Sequence, residues 1–494
     1  MSDINYAIDK INVGLGWDKI HANHLKFSGQ IFRNLLCKIY NKFLSHEYLP
    51  QEFLAGRIKP VLKSNCTSKT DSSNFRPVMN SSNFLKVFEH CLLPFLLNHL
   101  NLSNLQFGFR SKTGCNSAIA ILKETIFSYI NDRSNVHCAM VDLSKAFDKI
   151  NHDTLINKMR CTNLPNKILN IISFMLRNTF VNISCNSVLT DQWKVGNGTR
   201  QGGILSPLLF CFYINDALDE TSKMSIGCSV GGVRSNIVCY ADDVCLLAPS
   251  APALQVLLSS INVHFEAINL KINVKKCAYM VFNKAVNNNA QIPTIVSLKG
   301  EPLERVPKFK YLGVFLSEDM RISYDVERAM RAFLVQYNSM FSRFHSMDDE
   351  VLRFLFRTYT SSFYGVELWY GSSCYRHVSN LAVSYHKAVK RVARMNVWDS
   401  NHVACDIVGT PIFRHLIAKR AVCFFFSLIN SSSPCIIPFR YFLKYNSHIR
   451  KEIDKLFYKN YSVTGFMGNP LCSLLARISH VQLNEPRRHD TASN

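Results

Sequence analysis

The chain has 494 residues, of which 47% are hydrophobic and 19% are charged. That balance is typical of a globular protein and excludes an intrinsically disordered chain. The length exceeds what one hydrophobic core usually serves, so we expect two or three subdomains. The formal net charge of +22 favours a polyanionic partner, because basic side chains displace the counterions of phosphates. A soluble protein that is merely basic is the alternative on charge alone.

The cysteines and the N-terminus indicate the compartment. The 17 cysteines are scattered, mostly within apolar segments, and none forms a Cys-x-x-Cys pair. This disfavours zinc ribbons and indicates reduced, buried thiols. No basic start precedes an apolar core, and no apolar run reaches the roughly 20 residues of a membrane span. We therefore expect an intracellular protein of the nucleus and cytoplasm, with no signal peptide and no membrane partner.

The first third of the chain predicts helices around short strands. Apolar spacing over residues 28–54 is helical, with a break at Pro50, and the strand-like "GRIKPVLKS" follows. Helical patterns return at 84–100 and 116–131. The segment "NVHCAMVDLS" then predicts a strand.

The middle of the chain mixes strands and helices. After "SKAFDKINHD" come two helices and the hairpin-like pair "FVNISCNS" and "DQWKVGNGT", and then the turn "RQGG" opens the helix "ILSPLLFCFYINDAL". A hairpin at "SNIVCYADDVCLL", a helix over 252–270 and the strands "KCAYMVF" and "KFKYLGVFL" follow. From about Arg321 the pattern is helical almost throughout. This order predicts a mixed sheet with helices on one face, a split βαβ arrangement.

Three aspartates flank the predicted strands. Asp142 follows one strand, and Asp242 and Asp243 lie between the two strands of the hairpin. If these strands are neighbours, the carboxylates converge, and loss of hydration with mutual repulsion raises their pKa unless a cation is near. Mg²⁺ prefers such hard oxygen ligands, and two ions can promote in-line displacement at a phosphate. An acidic turn held by Lys or Arg partners is the alternative.

Further motifs occur in an order that a known family shares. The segments "VDLSKAFDKINHDTL", "GTRQGGILSPLLFCFYIND", "YADDVCLL", "LKINVKKCAYMVF" and "KFKYLGVFL" stand in the order of the reverse transcriptase palm motifs. Upstream, "GWDKI", "IKPVLKS", "NFRPVMNSSNFLKVFEHCL" and "QFGFRSKTGCNSAI" resemble the finger segments of non-LTR (LINE-type) retrotransposon reverse transcriptases. The resemblance covers roughly residues 14–317 and continues more loosely, in a jockey-like manner, to about 420.

The resemblance implies a fold and its domains. The fold is an α+β right-hand polymerase with fingers, palm and thumb, a ferredoxin-like palm sheet and a helical C-terminal extension. We expect N-terminal helices and fingers over 1–135, a palm with interleaved finger segments over 136–317 (the reverse transcriptase domain being about 44–317), a helical thumb-like region over 318–410 and a C-terminal extension over 411–494.

The resemblance also implies a reaction and its partners. The protein would extend the 3′-hydroxyl of a DNA primer with dNTPs on an RNA template, using two Mg²⁺ ions, for which Mn²⁺ is a possible substitute. Elements of this family usually encode an endonuclease before the polymerase, but this chain starts almost at "GWDKI" and has no Cys/His knuckle. We therefore expect a truncated copy or an incomplete gene model, with the primer nick made elsewhere. The oligomeric state is not indicated.

Catalytic roles carry over to five positions. Asp142 and Asp242 resemble the carboxylates shared by both metal ions, and Asp243 resembles the second carboxylate of the pair. The main-chain carbonyl of Leu143 is a further metal ligand in this interpretation. Lys276 matches the lysine that protonates the leaving pyrophosphate, a general-acid role.

Nucleotide-binding roles carry over to five others. Phe147 matches the aromatic steric gate that excludes a ribose 2′-hydroxyl, although a core position is the simpler interpretation. Gln201 and Gly202 match the turn against the incoming nucleotide, where an ordinary left-handed turn is the alternative. Lys63 and Arg76 resemble the finger residues that hold the triphosphate, where solvated side chains are the alternative.

Template and primer contacts are expected at further positions. Arg110, in "FGFRS", matches a contact to the template backbone, and the segment from Tyr311 to Leu316 resembles the one that grips the primer end. Spacing alone predicts an amphipathic helix in "LAVSYHKAVKRVARM". Its apolar stripe would be Leu381, Tyr385, Ala388, Val392 and Met395. Its basic stripe, which would contact phosphates or simply face solvent, would be Lys387, Lys390, Arg391 and Arg394.

Two rival functions fit parts of this pattern. A relic could keep the fold and bind nucleic acid without turnover. A maturase-like protein could bind intron RNA and assist splicing, although no maturase segment is recognisable and the N-terminal motifs are LINE-like. Extension of oligo(dT) on poly(rA) would separate a polymerase from both.

Overall fold

A computed structural model describes residues 2–63, 68, 70–185, 188–283, 296–369, 375–437 and 439. The part before residue 136 is helical around two strands. Its elements are α1 (Ser2–Lys10), α2 (Ala22–Lys26), α3 (Gln30–His46), α4 (Gln51–Leu54), β1 (Gly56–Leu62), β2 (Phe75–Ser81), α5 (Asn83–His99) and α6 (Cys115–Asn131). The predicted helix over 28–54 is therefore two helices, because Pro50 sits at the N-cap of α4 and proline cannot continue a helix from the preceding turn.

The middle part alternates strands and helices, as predicted. Its first half contains β3 (Val136–Val141), α7 (His152–Arg160), α8 (Asn166–Arg177), β4 (Phe180–Cys185), β5 (Val188–Leu189), β6 (Trp193–Lys194), α9 (Ser206–Tyr213) and α10 (Asn215–Lys223). Its second half contains β7 (Ser229–Val230), β8 (Val233–Arg234), β9 (Ile237–Tyr240), β10 (Asp243–Ala248), α11 (Ala251–Ala267), β11 (Ala278–Phe282), β12 (Ser297–Leu298), β13 (Glu301–Pro302), β14 (Glu304–Arg305), β15 (Lys308–Tyr311) and β16 (Val314–Ser317).

The last described part is helical, as predicted. It contains α12 (Ser323–Phe344), α13 (Asp349–Tyr359), α14 (Tyr375–Val392), α15 (Asn401–Val408) and α16 (Phe413–Ile429). Within the described ranges, no helix has the length and apolar character that crossing a bilayer requires.

Two larger sheets organise the molecule. The central sheet has the order β14-β11-β3-β10-β9, in which β3 is antiparallel to both β10 and β11. The second sheet has the order β2-β1-β4-β5, with β6 also paired to β4, and it combines the antiparallel pair β1–β2 with the parallel pair β1–β4. The chain is thus a mixed α and β protein, and the predicted neighbourhood of the strands before Asp142 and after Asp242 is confirmed.

Helices cover both faces of the central sheet, so the prediction of helices on one face was wrong. Because side chains alternate across a strand, Ala139 and Val141 pack with α11 in one core, whereas Cys138 and Met140 pack with α6 in another. The second core also includes Phe425 of α16 and Ile436 of a short 3₁₀ helix (Pro434–Ile436). The second core therefore contains residues from both sides of residue 410, where the predicted thumb-like region ends and the predicted C-terminal extension begins.

The third core lies among the helices α12 to α16. A buried carboxylate joins these helices to the hairpin of β15 and β16: Asp325 accepts hydrogen bonds from the Arg328 Nε at 2.6 Å, the Trp369 indole at 2.8 Å and the Phe315 amide at 3.2 Å. Because a buried charge is stable only when it is paired and hydrogen-bonded, this carboxylate fixes the hairpin against α12.

Candidate active site

Strand pairing brings the aspartates to one end of the central sheet. Val244 lies opposite Val141. Because the strands are antiparallel, Asp243, which precedes Val244, and Asp142, which follows Val141, come next to each other at the same end of the sheet. Asp242 belongs to the tight turn between β9 and β10, where Asp243 pairs with Tyr240. The convergence that sequence spacing predicted is present in the structure.

The carboxylate of Asp142 is partly buried and lies beside the side chain of Lys276. Its Oδ2 atom is buried and makes no hydrogen bond, and the nearest cation, the Lys276 Nζ, is 3.7 Å away, too far for a hydrogen bond. Burial raises the pKa of Asp142, and the charges of Lys276 and Lys63 oppose that shift. A buried carboxylate oxygen that has an ion-pair neighbour but accepts no hydrogen bond is an open ligand position.

The neighbouring carboxylates repel one another. Burial, followed by the charge of Asp142, raises the pKa of Asp242, and Arg76 and Lys276 partly offset this. Although Asp243 is partly exposed to solvent, desolvation and then the charges of Asp242 and Asp142 raise its pKa to about 6. A bound cation would reverse these shifts, since an opposite charge favours the ionised form.

The donor set fits a metal ion that is shared with a substrate. Among the described residues, no three His, Cys, Asp or Glu side chains are arranged to hold a metal by themselves. Mg²⁺ characteristically takes only one or two carboxylates from the protein and completes its octahedron with phosphate oxygens and water. Asp142 and Asp242 meet that requirement. The Leu143 carbonyl is compatible with it, because the bridge of Leu143 to Ile272 uses the carbonyl of residue 142 and the amide of residue 144 instead.

A cavity of about 1000 Å³ opens in front of these carboxylates and extends to the second sheet. It contains nearly all of the residues that the resemblance assigned to catalysis and nucleotide binding. They are Lys63, Arg76, Asp142, Leu143, Phe147, Gln201, Gly202, Asp242 and Lys276. Asp243 is not part of this wall. Acidic groups of the central sheet thus face basic groups of the second sheet across one opening.

Phe147 both packs against the core and borders the cavity. Its ring stacks on the buried ring of Phe210, with centroids 4.5 Å apart, and it also lines the cavity. Its carbonyl accepts a hydrogen bond from the Thr199 amide at 2.9 Å. The ring is therefore held at the cavity wall by packing from behind.

The turn at Gln201 and Gly202 is fastened to the second sheet. The Gln201 carbonyl accepts from the Met79 amide at 2.8 Å, and its side chain donates to Asp148 Oδ1 at 2.8 Å. Gly202 has a φ of +114°, and a Cβ there would lie 2.8 Å from the Met79 carbonyl. The close approach that requires glycine is to the backbone of β2.

Sequence reasoning missed the ion pair behind this turn. The Glu89 carboxylate of α5 is buried, and it accepts from the Arg200 Nη2 at 2.5 Å and from the Ile204 amide at 2.6 Å. Arg200 also lines the cavity, and its Nη1 is buried without a hydrogen bond. Partners 111 residues apart leave no periodic signal in a sequence.

Two predicted template or primer residues are engaged inside the protein. Tyr311 is 3% exposed and donates to the Val238 carbonyl at 3.3 Å, so its ring belongs to the second core; the primer contact of the segment from Tyr311 to Leu316 stays a prediction. Arg110 donates to the Cys435 Sγ at 3.2 Å and to the Leu102 carbonyl. These bonds give Arg110 a structural role, and its template contact stays a prediction.

The basic stripe is shorter than spacing suggested. Helix α14 ends at Val392, and Arg394 has a φ of +56° that turns it toward Asp349 and the His345 carbonyl, so its place on the helix was wrong. Lys390 donates to the Val397 carbonyl at 2.7 Å, and the Arg391 guanidinium lies 4.4 Å from the centre of the Phe341 ring. Lys387 and Arg391 are exposed.

The apolar stripe of α14 largely behaves as predicted. Four members are buried in the third core, namely Leu381, Tyr385, Ala388 and Val392. Met395 lies beyond the helix and is only partly buried against that core.

Comparison with known proteins identifies the family. Residues 63–316 match the family described as reverse transcriptase (RNA-dependent DNA polymerase). The chain belongs to the reverse transcriptase family. Its predicted resemblance to jockey-like elements is confirmed: this reverse transcriptase is 25% identical, over 373 residues, to the RNA-directed DNA polymerase from mobile element jockey of Drosophila melanogaster, an alignment that covers 72% of this chain and 40% of that protein.

Other similarities are more distant. The reverse transcriptase is 25% identical over 302 residues to the Pol polyprotein of the retrotransposable element R2DM of Drosophila melanogaster, which covers 60% of this chain and 28% of that protein. The chain thus spans two fifths or less of the length of these curated relatives. Telomerase from Candida tropicalis, solved with a fragment of telomeric RNA, superposes with a TM-score of 0.41 at 10% identity, covering 86% of this chain and 68% of that one.

Proposed function

We propose that this reverse transcriptase is an RNA-directed DNA polymerase that extends the 3′-hydroxyl of a DNA primer with dNTPs on an RNA template. One observation carries the proposal: Asp142 and Asp242 share a cavity of about 1000 Å³ with Lys63 and Arg76. That volume suits a nucleotide, and the charges suit a triphosphate that bridges basic side chains and carboxylate-bound metal ions.

The same layout supports a right-hand polymerase architecture. The strands of the central sheet that follow one another as β3, β9, β10 and β11 lie in the order β11-β3-β10-β9, which supports a ferredoxin-like palm. We place the palm at residues 136–317, the fingers before it, including the second sheet, and a helical thumb at 318–410. Because α16 packs under the palm, we assign it to the palm's support and not to a separate extension.

We assign roles in this reaction to the charged residues of the cavity, to the Leu143 carbonyl, to Phe147 and to the adjoining Asp243. Lys63 and Arg76 would bind the triphosphate, while Asp142, Asp242 and the Leu143 carbonyl would hold two Mg²⁺ ions, or Mn²⁺ in their place, with Asp243 adding negative charge beside them. The chemistry that bound ions would supply at this place is Lewis acidity toward the primer hydroxyl and positive charge beside the leaving pyrophosphate. Phe147 excludes a ribose 2′-hydroxyl because Phe210 holds its ring from behind. Lys276, whose side chain is 64% exposed, donates a proton to pyrophosphate.

Primer extension tests the proposal. Purified protein with Mg²⁺ and oligo(dT) annealed to poly(rA) should incorporate dTTP, and Asp242→Asn should lower the rate about 10³-fold or more, as expected when a metal ligand is lost. Asp153→Asn is the matched control, since Asp153 is an exposed aspartate whose partner is Arg177. Wild-type protein that binds the hybrid but never extends it would identify a non-catalytic relic, and Asp242→Asn with a tenth of wild-type activity would remove the metal assignment.

A further inference from the structure

The segment "QFGFR", residues 106–110, runs along the edge of the central sheet beside the catalytic turn. Gln106 forms a parallel bridge with Cys239 of β9. The Phe107 amide donates to the Cys239 carbonyl at 2.8 Å, and the Cys239 amide donates to the Leu105 carbonyl at 2.9 Å. The segment therefore continues the sheet past β9 and ends level with the turn that carries Asp242.

The side chain of Gln106 forms hydrogen bonds to both the amide and the carbonyl of Ala241, the residue before Asp242. Gln106 is fully buried. Its Oε1 accepts from the Ala241 amide at 2.8 Å, and its Nε2 donates to the Ala241 carbonyl at 3.3 Å and to the Cys239 Sγ at 3.2 Å. The same Oε1 also accepts from the Gly108 amide at 2.9 Å. The side-chain amide of Gln106 thus satisfies the hydrogen-bonding groups of Ala241, both its N–H and its carbonyl, in the protein interior.

That backbone unit is strained. Ala241 has a φ of +55°, a left-handed conformation that is uncommon for a residue with a Cβ and persists only where surrounding contacts impose it. Gly108 packs against the same unit, since a Cβ at Gly108 would lie 2.7 Å from the Ala241 nitrogen. Gln106 and Gly108 therefore fix the turn from one side, by hydrogen bonding and by close packing.

We infer that Gln106 is a positioning residue that fixes the Ala241 backbone and thereby the direction in which Asp242 enters the cavity. The inference rests on the proposed function. Gln106 does not line the cavity, so it acts on the reaction through Asp242 and not by contact with nucleotide. Small displacements of a catalytic group reduce rate more than they reduce substrate binding, because reactive geometry is more demanding than affinity.

Two variants disturb the turn by different means. Gln106→Met removes both hydrogen-bonding atoms at similar volume, and Gly108→Ala places a methyl group against the Ala241 nitrogen. Gln255→Met is the control for the first, because Gln255 likewise braces a backbone, bonding the Ser297 carbonyl at 2.8 Å and its amide at 2.9 Å. Gly114→Ala is the control for the second, because no atom lies within 4 Å of a Cβ at Gly114.

Single-nucleotide incorporation separates positioning from general damage. Both turn variants should lose about 10²-fold in kcat, the scale of a misplacement of about 1 Å, while the KM for dNTP and the affinity for hybrid stay within about threefold. Both controls should extend as wild type does. Circular dichroism and melting show that each variant is folded. A folded Gln106→Met that keeps more than half of the wild-type kcat, or that loses dNTP affinity instead of rate, overturns the inference.

Mn²⁺ binding gives a readout that does not require turnover. Electron paramagnetic resonance of free Mn²⁺ should show weaker binding to Gln106→Met and Gly108→Ala than to wild type, by about tenfold, while both controls bind normally. If wild type binds Mn²⁺ but does not extend, the proposed function fails, and the Mn²⁺ result still decides the inference. Equal Mn²⁺ affinity in Gln106→Met and wild type overturns it. If Gln106→Met does not fold, Gly108→Ala carries the same two measurements.

Discussion

Removing the buried carboxylate at Glu89 should destabilise the protein severely. The Glu89 side chain is 2% exposed and that of Arg200 is 13% exposed, so Glu89→Leu leaves a guanidinium in the interior whose Nη1 already lacks a hydrogen bond. It also removes the acceptor of the Ile204 amide. Breaking one partner of a buried ion pair costs about 3–5 kcal/mol, a large share of the roughly 5–15 kcal/mol that holds a typical protein folded.

The double variant Glu89→Leu, Arg200→Met should recover at least half of that loss. No charge is then left without a partner, and replacing a whole buried pair by apolar residues is often neutral. Activity should not recover, because the turn at Gln201 loses its anchor on α5 while it still borders the cavity. Stability and catalysis should therefore separate in this pair of variants.

Urea unfolding followed by tryptophan fluorescence and circular dichroism measures the free-energy changes, and primer extension measures activity. Arg177→Met is the control, because Arg177 forms an exposed ion pair with Asp153 and such pairs contribute about 0–1 kcal/mol. A loss of less than about 1 kcal/mol in the free energy of unfolding of Glu89→Leu would contradict the buried ion pair, as would a double variant that is as unstable as the single one.

Three further outcomes follow from the structure. Phe147→Ala should reduce discrimination against rNTPs by about 10²-fold; unchanged selectivity in an active variant would return Phe147 to a purely structural role. Lys387→Gln with Arg391→Gln should make the salt dependence of hybrid binding shallower by up to about 0.9 per lost phosphate contact, whereas a solvated face predicts no change. Phe425→Ala should cost about 3–5 kcal/mol, because Phe425 is 1% exposed in the second core, while Phe426→Ala, 42% exposed, should cost far less.

The sequence predicted the elements of the central sheet well because their apolar runs do not alternate. Val136–Val141 and the hairpin around Asp242 are buried on both faces, as continuous apolar strands should be. The same signal placed Asp142 near Asp242, since both follow or interrupt such runs. Pattern and resemblance together were therefore enough to predict that the carboxylates of Asp142 and Asp242 lie close together at the strand ends.

Periodicity was a weaker guide where burial depends on distant partners. In α3, Leu35 is 53% exposed and Ile39 is 37% exposed, although both belong to a helical apolar pattern. Tyr311 stands in a segment that resembles a primer contact, but its ring is buried in the second core and its hydroxyl donates to the Val238 carbonyl. The sequence spacing placed Arg394 on the basic stripe of α14, but the helix ends at Val392 and Arg394 has a left-handed backbone conformation.

The hydrogen bonds that orient the site were invisible for a related reason. Gln106 and Ala241 are 135 residues apart, and Glu89 and Arg200 are 111 apart. Neither glutamine nor glutamate in an apolar segment specifies its partner, because many folds could satisfy the same polar group. Such contacts become known only when the tertiary structure is in hand.

Packing of α16 under the central sheet sets an order of events for the newly made protein. The Cys435 thiol donates to the Gln106 carbonyl across 329 residues of sequence, and Phe425 and Ile436 complete the core on that face. At about 5–20 residues per second, a ribosome needs about 7–29 seconds to reach Phe425 after the end of β11 at Phe282. During that time the face of the central sheet that α6 covers still lacks Phe425 and Ile436, so chaperone binding before release should govern how much of the chain folds.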